Sequence, residues 1–244
     1  MSVDNVSKNF GNKEVLKKIS FTMEQGDVVG YLGPNGSGKT TTLMSLVGLI
    51  QYDDGNIQIL EHNINKEYEK LYGKVAVLFD ENGLFEKLTA RQNLLFYLKA
   101  FHKEKDMKIA LELMQKLDLD RDLDRKICTF SKGMKRKLAL VRCLIVNPSI
   151  MLLDEPFDGI DVECRDSIIK LIKEYKKKHN ISIILTSHVM ADIEELANRI
   201  IIIQKGQIIV NEAIDIFSAR GGKNLTENYL KVIKPELFTE QYLS

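Results

Sequence analysis

Residues 33–40 read Gly33-Pro34-Asn35-Gly36-Ser37-Gly38-Lys39-Thr40 and match the pattern G-x-x-x-x-G-K-[ST] at every fixed position. The pattern carries meaning only between a strand and a helix. Val28 to Leu32, before it, is an apolar run of strand length, and Thr40 to Ile50, after it, has helical composition. The residue types suit one chemistry. Gly33, Gly36 and Gly38 let the backbone turn tightly and bring its N–H groups close to an anion. The helix start adds unpaired donors and the positive end of a dipole. Lys39 has the reach to meet β- and γ-phosphates, and the Thr40 hydroxyl is placed for Mg²⁺. A plain Gly-rich turn beside a surface lysine is the bland alternative, and the flanking strand and helix speak against it. The loop predicts nucleotide binding.

Composition narrows the class. The 244 residues suit one large or two small domains, and 44% hydrophobic with 28% charged residues is ordinary for a folded water-facing chain. The net charge of +1 gives no support to a nucleic-acid surface or a polybasic membrane anchor. Cys128, Cys143 and Cys164 lack metal-ligand spacing and are odd in number, which predicts free thiols in a reducing compartment. The opening Met-Ser-Val-Asp-Asn-Val-Ser-Lys-Asn-Phe resembles neither a signal peptide nor a myristoylation site. Apolar runs reach only about six residues, far below the roughly 20 needed to span a bilayer. Any membrane role therefore falls to a partner.

Taken in order, residues 2–23 read as strands around a turn at Asn9 to Lys13. Phe10 beside that turn is either a half-buried aromatic or a platform for an adenine ring. A turn and short strand follow at Asp53 to Ile64, then a buried strand, Val75 to Phe79, ending at Asp80. Helical periodicity takes over in Thr89 to Phe101 and Met107 to Leu117. Ser131 reads as the N-cap of a helix running to Val146, with Pro148 stopping it. Ile150 to Pro156 is a buried strand, Asp161 to Lys178 a helix, and Ile181 to His188 a strand with a polar end. A helix at Met190 to Asn198 and a hairpin around Lys205-Gly206 come next, then short helices and a polar tail. Strands alternating with helices predict an α/β fold with a mainly parallel sheet, whose ligands sit at the carboxyl ends of the strands. There Asp154 is suited to hold Mg²⁺ and Glu155 to polarise an attacking water.

These motifs together resemble the nucleotide-binding subunit of an ATP-binding-cassette transporter. The resemblance rests on Gly33–Thr40, on Thr129 to Asp161 (TFSKGMKRKLALVRCLIVNPSIMLLDEPFDGID) and on Thr186-Ser187-His188, and it runs from about Val3 to Ile233. It implies a P-loop NTPase core with an N-terminal antiparallel β portion and an inserted helical subdomain. The implied organisation is one ATPase domain over 1–244. Residues 1–87 and 149–220 form the core, 88–148 the helical signature subdomain and 221–244 a C-terminal tail. Nucleotide contacts are implied for Phe10, Gly33, Pro34, Asn35, Gly36, Ser37, Gly38, Lys39, Thr40 and Thr41. Ser131, Lys132, Gly133 and Met134 fall on the signature that acts on ATP held by the opposite subunit. Glu155 becomes the general base, His188 the switch that touches the γ-phosphate, and Asp161 part of the D-loop. Thr40, Asp154 and Asp80 become the metal ligands.

The chain departs from the family pattern in places. Asp80 replaces a glutamine at the strand end, Lys132 and Met134 replace the third and fifth residues of L-S-G-G-Q, and Asp158 replaces a common serine. The Ser-Lys-Gly-Met form is similar to that of ATPases serving separate, export-type (ABC-2-like) membrane subunits. ATP and Mg²⁺ are the implied cofactors. The implied partners are a separate transmembrane permease and a second ATP-binding subunit, identical or not, with no nucleic acid. The implied location is cytoplasmic, peripheral on the inner face of the cell membrane. A non-transport cassette ATPase in assembly, repair or translation stays open, although no coiled coil, duplicated cassette or partner-specific insertion is visible. A P-loop kinase or GTPase is the third reading, and no guanine-reading N-K-x-D sequence is present.

Overall fold

The computed structural model describes residues 1–79 and 82–238. Along the chain run β1 (Ser2–Phe10), β2 (Lys13–Thr22), β3 (Val28–Leu32), α1 (Lys39–Leu46), β4 (Asp54–Ile59), β5 (His62–Asn63), α2 (Ile64–Glu67) and β6 (Val75–Leu78). Next come α3 (Ala90–Ala100), α4 (Met107–Lys116), α5 (Lys132–Leu144), β7 (Ile150–Leu153), α6 (Val162–His179) and β8 (Ser182–Leu185). The remainder is α7 (Met190–Leu196), β9 (Arg199–Gln204), β10 (Gln207–Ala213), α8 (Ile214–Ser218) and α9 (Leu225–Ile233). The expected α/β architecture is present, with its antiparallel N-terminal portion and its block of helices before β7. The chain divides into two compact units: residues 1–68 with the stretch from 184 onward, and residues 69–183. β8 spans the return from the second to the first. Among the described residues no helix is long and apolar enough to cross a membrane.

In the first unit, β1 and β2 form an antiparallel hairpin that pairs Phe10 with Lys13. Gly11 takes a φ of 57° in the turn, a region that costs glycine nothing. β4 pairs with the other edge of β1 and with β5, completing a sheet of order β2-β1-β4-β5. β3 is buried at all five positions and pairs in parallel with β9, which pairs antiparallel with β10. Ile200 to Ile203 in β9 are each 0% exposed. A strand shielded on both faces has no use for polar alternation, and its sequence is accordingly a run of isoleucines. α1 stops at Leu46 rather than Ile50. Gly48 adopts φ 67° and the Leu49 amide closes on the Met44 carbonyl at 3.0 Å. Leu49 and Ile50 keep the apolar composition of a helix, but a left-handed glycine ends it.

In the second unit, β6 and β7 pair in parallel with Val75 opposite Ile150 and Leu78 opposite Leu153. Thr89 and Gln92 close a capping box at the start of α3. Ser131 caps α5 as predicted, its hydroxyl accepting from the Met134 amide at 3.2 Å. α5 buries Leu138, Ala139, Leu140, Val141 and Leu144 completely. α6 ends where Asn180 turns left-handed (φ 49°), and Lys176 to His179 fill its last turn, where the helix dipole favours cations.

A buried amide organises the C-terminal elements of the first unit. Asn228, 1% exposed, donates from Nδ2 to the carbonyls of Phe217 and Ser218, each at 3.0 Å. Its Oδ1 accepts from the Gly222 amide at 2.8 Å. One side chain thus ties α9 to α8 and to the loop between them. Asn228→Leu removes the side-chain partner of three backbone groups, of which only the bond to the Phe217 carbonyl is buried, a net hydrogen bond being worth on the order of 1 kcal/mol. The expected result is a loss of about 1–3 kcal/mol in urea unfolding. A variant with the parental midpoint would show that the amide contributes nothing.

Candidate functional site

The first unit carries the phosphate-binding loop. β3 delivers the chain into Gly33, and α1 begins at Lys39 with Gly38 as its N-cap at φ 115°. Glycine has no side chain to accept from the first-turn amides, so α1 starts without a side-chain cap, the type of helix start that anions favour. Lys39 Nζ lies along the loop, donating to the Gly33 carbonyl at 2.7 Å and to the Pro34 carbonyl at 3.5 Å. The loop is braced from outside. The Ser37 carbonyl accepts from the Gly206 amide in the β9–β10 turn at 3.0 Å. Inside α1, the Thr42 hydroxyl donates to the Gly38 carbonyl at 2.9 Å and meets the Tyr31 hydroxyl at 3.2 Å. Burial pushes the Tyr31 hydroxyl far above its ordinary range, so it stays protonated as a donor.

At Gly33 and Gly38 the space is closed to a side chain. A Cβ on Gly33 would collide with the Ile203 carbonyl and with Ser37 Oγ, and one on Gly38 would crowd Leu16 and the Val15 carbonyl. Ser37 is 3% exposed, and its hydroxyl oxygen has no protein partner. A buried hydroxyl without a partner is costly unless a ligand supplies one. That orphaned hydroxyl and the glycine-only cradle fit a phosphate group.

Phe10 stands at the end of β1, 49% exposed, with Lys8 Nζ 5.3 Å from its ring centre. Asp53 pins the preceding residues: its carboxylate accepts from Lys8 Nζ at 2.9 Å and from the Asn9 amide at 2.6 Å. Lys8, followed by the Asn9 amide, holds the Asp53 carboxyl below the usual carboxylate range. The ring is therefore presented on a fixed backbone with one face open. His188, also in this unit, follows β8 and is exposed. Its neighbours are tied down, for the Ser187 hydroxyl donates to buried Asp192 at 2.9 Å and accepts from the Val189 amide at 3.0 Å.

The second unit gathers the signature and the acidic strand end. Asp154 follows β7, is 5% exposed and donates its amide to the Leu78 carbonyl at 2.8 Å. Glu155 takes φ 46°, a left-handed conformation costing a non-glycine residue about 1–2 kcal/mol. Two donors hold it there. The Asp158 amide meets the Glu155 carbonyl at 3.1 Å, and the Arg136 guanidinium meets the same oxygen at 3.0 Å. Arg136, 1% exposed, also donates to the Phe79 carbonyl at 2.9 Å and to Asn82 Oδ1 at 3.1 Å. One planar fork therefore joins the signature helix, the strand end before Asp80 and the backbone of Glu155. A lysine with a point-like ammonium cannot reproduce that geometry.

Asp161 caps α6, its carboxylate accepting from the Cys164 amide at 2.8 Å. The buried Cys164 thiol contacts the Gly133 carbonyl at 3.6 Å, and burial pushes its pKa up. It thus packs the signature as a neutral group rather than a reactive one. All three cysteines are free. Lys132 pairs with Asp158 at 3.0 Å. Ser131, Lys132, Gly133, Met134, Asp154, Glu155 and Asp161 are thus linked through a few short contacts within one unit. Phe10, Gly33 to Thr41 and His188 belong to the other. The assignment of Asp80 as a metal ligand lies outside the described residues. Among those described, no group of three or more His, Cys, Asp or Glu side chains is placed to hold a metal.

Arg136, Tyr31, Asp53 and Gly206 were not evident as site residues in the sequence. Arg136 sits between Lys135 and Lys137 and reads as part of a solvated basic face. A signal existed, since Arg136 is in helical phase with Leu140, Cys143 and Leu144 on the buried stripe. The others act through backbone groups brought close only by folding.

Comparison with known proteins agrees with this geometry. The sequence profile of the ABC transporter family matches residues 16–158. The linearmycin resistance ATP-binding protein LnrL of Bacillus subtilis (strain 168) is 36% identical over 231 residues, covering 93% of this chain and 74% of that protein. The Nod factor export ATP-binding protein I of Burkholderia lata is 34% identical over 211 residues, covering 86% and 69% respectively. A solved structure described as the ATP binding subunit of an ABC transporter superimposes with a TM-score of 0.88 at 27% identity, over 96% of this chain and 99% of the other. With a glycine cradle shaped for phosphate and a carboxylate-bearing strand end linked to a signature helix, this chain belongs to the ABC transporter family as an ATP-hydrolysing, ATP-binding subunit.

Proposed function

We propose that the chain hydrolyses Mg·ATP at sites completed by a second ATP-binding subunit head to tail, and that it drives a separate membrane permease in export. The observation that carries the reading is the loop itself: Lys39 beside an orphaned Ser37 hydroxyl in a cradle that only glycine tolerates. Lys39 turns from the Gly33 carbonyl to the β- and γ-phosphates and Phe10 stacks on the adenine; Thr40 and Asp154 are each of a type to hold Mg²⁺, which would draw charge from the phosphates. Glu155 takes the proton of the attacking water, and His188 contacts the γ-phosphate. Ser131 to Met134 cap the nucleotide of the other subunit, with Asp161 on the adjoining segment. Both compact units serve this one ATPase domain. Export is supported by what the relatives are named for, Nod factor export and linearmycin resistance. The permease supplies the membrane passage, and the chain works on the cytoplasmic face of the membrane.

Two substitutions separate capture from chemistry. Lys39→Ala is expected to abolish ATP binding in a folded protein, measured with a fluorescent ATP analogue. Glu155→Gln keeps size and polarity but loses the base, so ATP binding and ATP-driven dimerisation persist while hydrolysis falls by about 10² or more. Parental turnover in Glu155→Gln would place the base elsewhere. Co-purification with a polytopic membrane protein that stimulates the ATPase tests the transport reading. A soluble assembly, repair or translation complex recovered instead would favour the non-transport alternative.

Arg136 provides a positioning test. Arg136→Lys keeps the charge and loses the fork, which loosens the backbone under Glu155. Hydrolysis is expected to fall about ten- to a hundredfold in kcat with KM for ATP little changed, since the loop that binds phosphate is untouched. A kcat equal to the parent's would mean that the fork does not orient Glu155.

A further inference from the structure

Two departures from the family pattern meet in space. Lys132 stands where the signature usually has glycine, and Asp158 where a serine is common, yet they lie 26 positions apart in sequence and form an ion pair of 3.0 Å. The stem of Lys132 runs over Gly159, which has φ 64°. A Cβ there would collide with Lys132 Nζ and crowd the stem. Glycine at 159 thus opens the path by which the lysine reaches Asp158.

Electrostatics explain the pairing. Lys132 is the first residue of α5, where the helix dipole disfavours a cation, and the first turn contains no acidic residue. The combined positive potential of the helix start and the ammonium is answered by a carboxylate from another loop. The two side chains are 51% and 46% exposed, so the pair is of the weak, exchangeable kind. A phosphate with two charges and three acceptor oxygens outcompetes one carboxylate for such a site.

We propose that Asp158 is an in-chain counter-ion that occupies Lys132 until the γ-phosphate of ATP held by a second copy takes its place. Lys132 then becomes a phosphate ligand in trans beside Ser131, and the Asp158 side chain is released to solvent. This inference rests on the head-to-tail reading above. It makes the ion pair a brake on closure. ATP must displace the Asp158 carboxylate before the two copies lock, while the Arg136 guanidinium keeps the Glu155 turn in place. The exchange breaks no covalent bond and moves no proton.

The experiment is a dimerisation titration with Mg·ATP by analytical ultracentrifugation, on full-length protein carrying Glu155→Gln to stop turnover. Four proteins are compared: that parent, the parent with Asp158→Asn, with Lys132→Met, and with both. Lys132→Met keeps the stem over Gly159 and removes only the charge. Thermal unfolding of each confirms folding, and Asp158→Ala is a second variant should Asn alter the loop. Asp158→Asn is expected to lower the ATP concentration for half-maximal dimerisation about two- to fivefold, as loss of an exposed ion pair permits. Lys132→Met is expected to raise it. In the Lys132→Met background, removing the Asp158 charge is expected to change nothing. Superimposable curves for parent and Asp158→Asn, or an equal effect of Asp158→Asn with and without Lys132, would overturn the inference. A parent that fails to dimerise with ATP sinks the head-to-tail reading and this proposal with it. A dimerising parent with unresponsive variants sinks the ion-pair exchange alone.

Discussion

An anion-binding loop must keep several backbone N–H groups free of protein acceptors, and that requirement organises the first unit. Free amides are costly unless the surrounding backbone is held rigid and no side chain intrudes. β3 supplies rigidity by being buried along its whole length beside the isoleucines of β9. The Ile203 carbonyl and Ser37 Oγ press against Gly33, and the Gly206 amide holds the Ser37 carbonyl. Tyr31 and Thr42 satisfy each other beneath the loop rather than competing for it. Each contact removes an alternative conformation of the loop.

The second unit solves a different problem, holding a strained carboxylate. Glu155 sits in a left-handed turn, and its side chain can serve as a base only if that turn does not relax. The Arg136 fork and the Asp158 amide converge on its carbonyl. The same fork reaches Phe79 and Asn82, so the strand end at β6 and the backbone of Glu155 share one support. A guanidinium 1% exposed is expensive to bury, and its hydrogen bonds to three oxygens from two segments, residues 79–82 and Glu155, offset that cost. α5 thereby carries the signature at its start and braces the catalytic turn one helical turn later. This supports the view that signature and base respond together.

Much of this was legible in the chain because it rests on local rules. Val28–Leu32 emerged as a strand with the predicted bounds, and Ser131, Thr89 and Asp161 cap helices at the places their side chains favour. The loop of residues 33–40 was readable because its chemistry is mostly backbone chemistry, written in glycines. The end of α1 was misplaced because Leu49 and Ile50 continue the apolar composition past a glycine that stops the helix.

The sequence by itself determined the class of chemistry: a phosphate loop after a strand, an acidic strand end and, by resemblance, a signature at the start of a helix. Residue types and short-range order point to the kind of chemistry each segment suits. The tertiary structure decided which groups support them. That Arg136 is buried among distant carbonyls, that Asp53 anchors the strand bearing Phe10, and that Lys132 finds Asp158 are long-range matters. A charged side chain carries no mark in its own letters of whether it faces water or a distant carbonyl. Burial sets that choice, and burial is a property of elements already packed together.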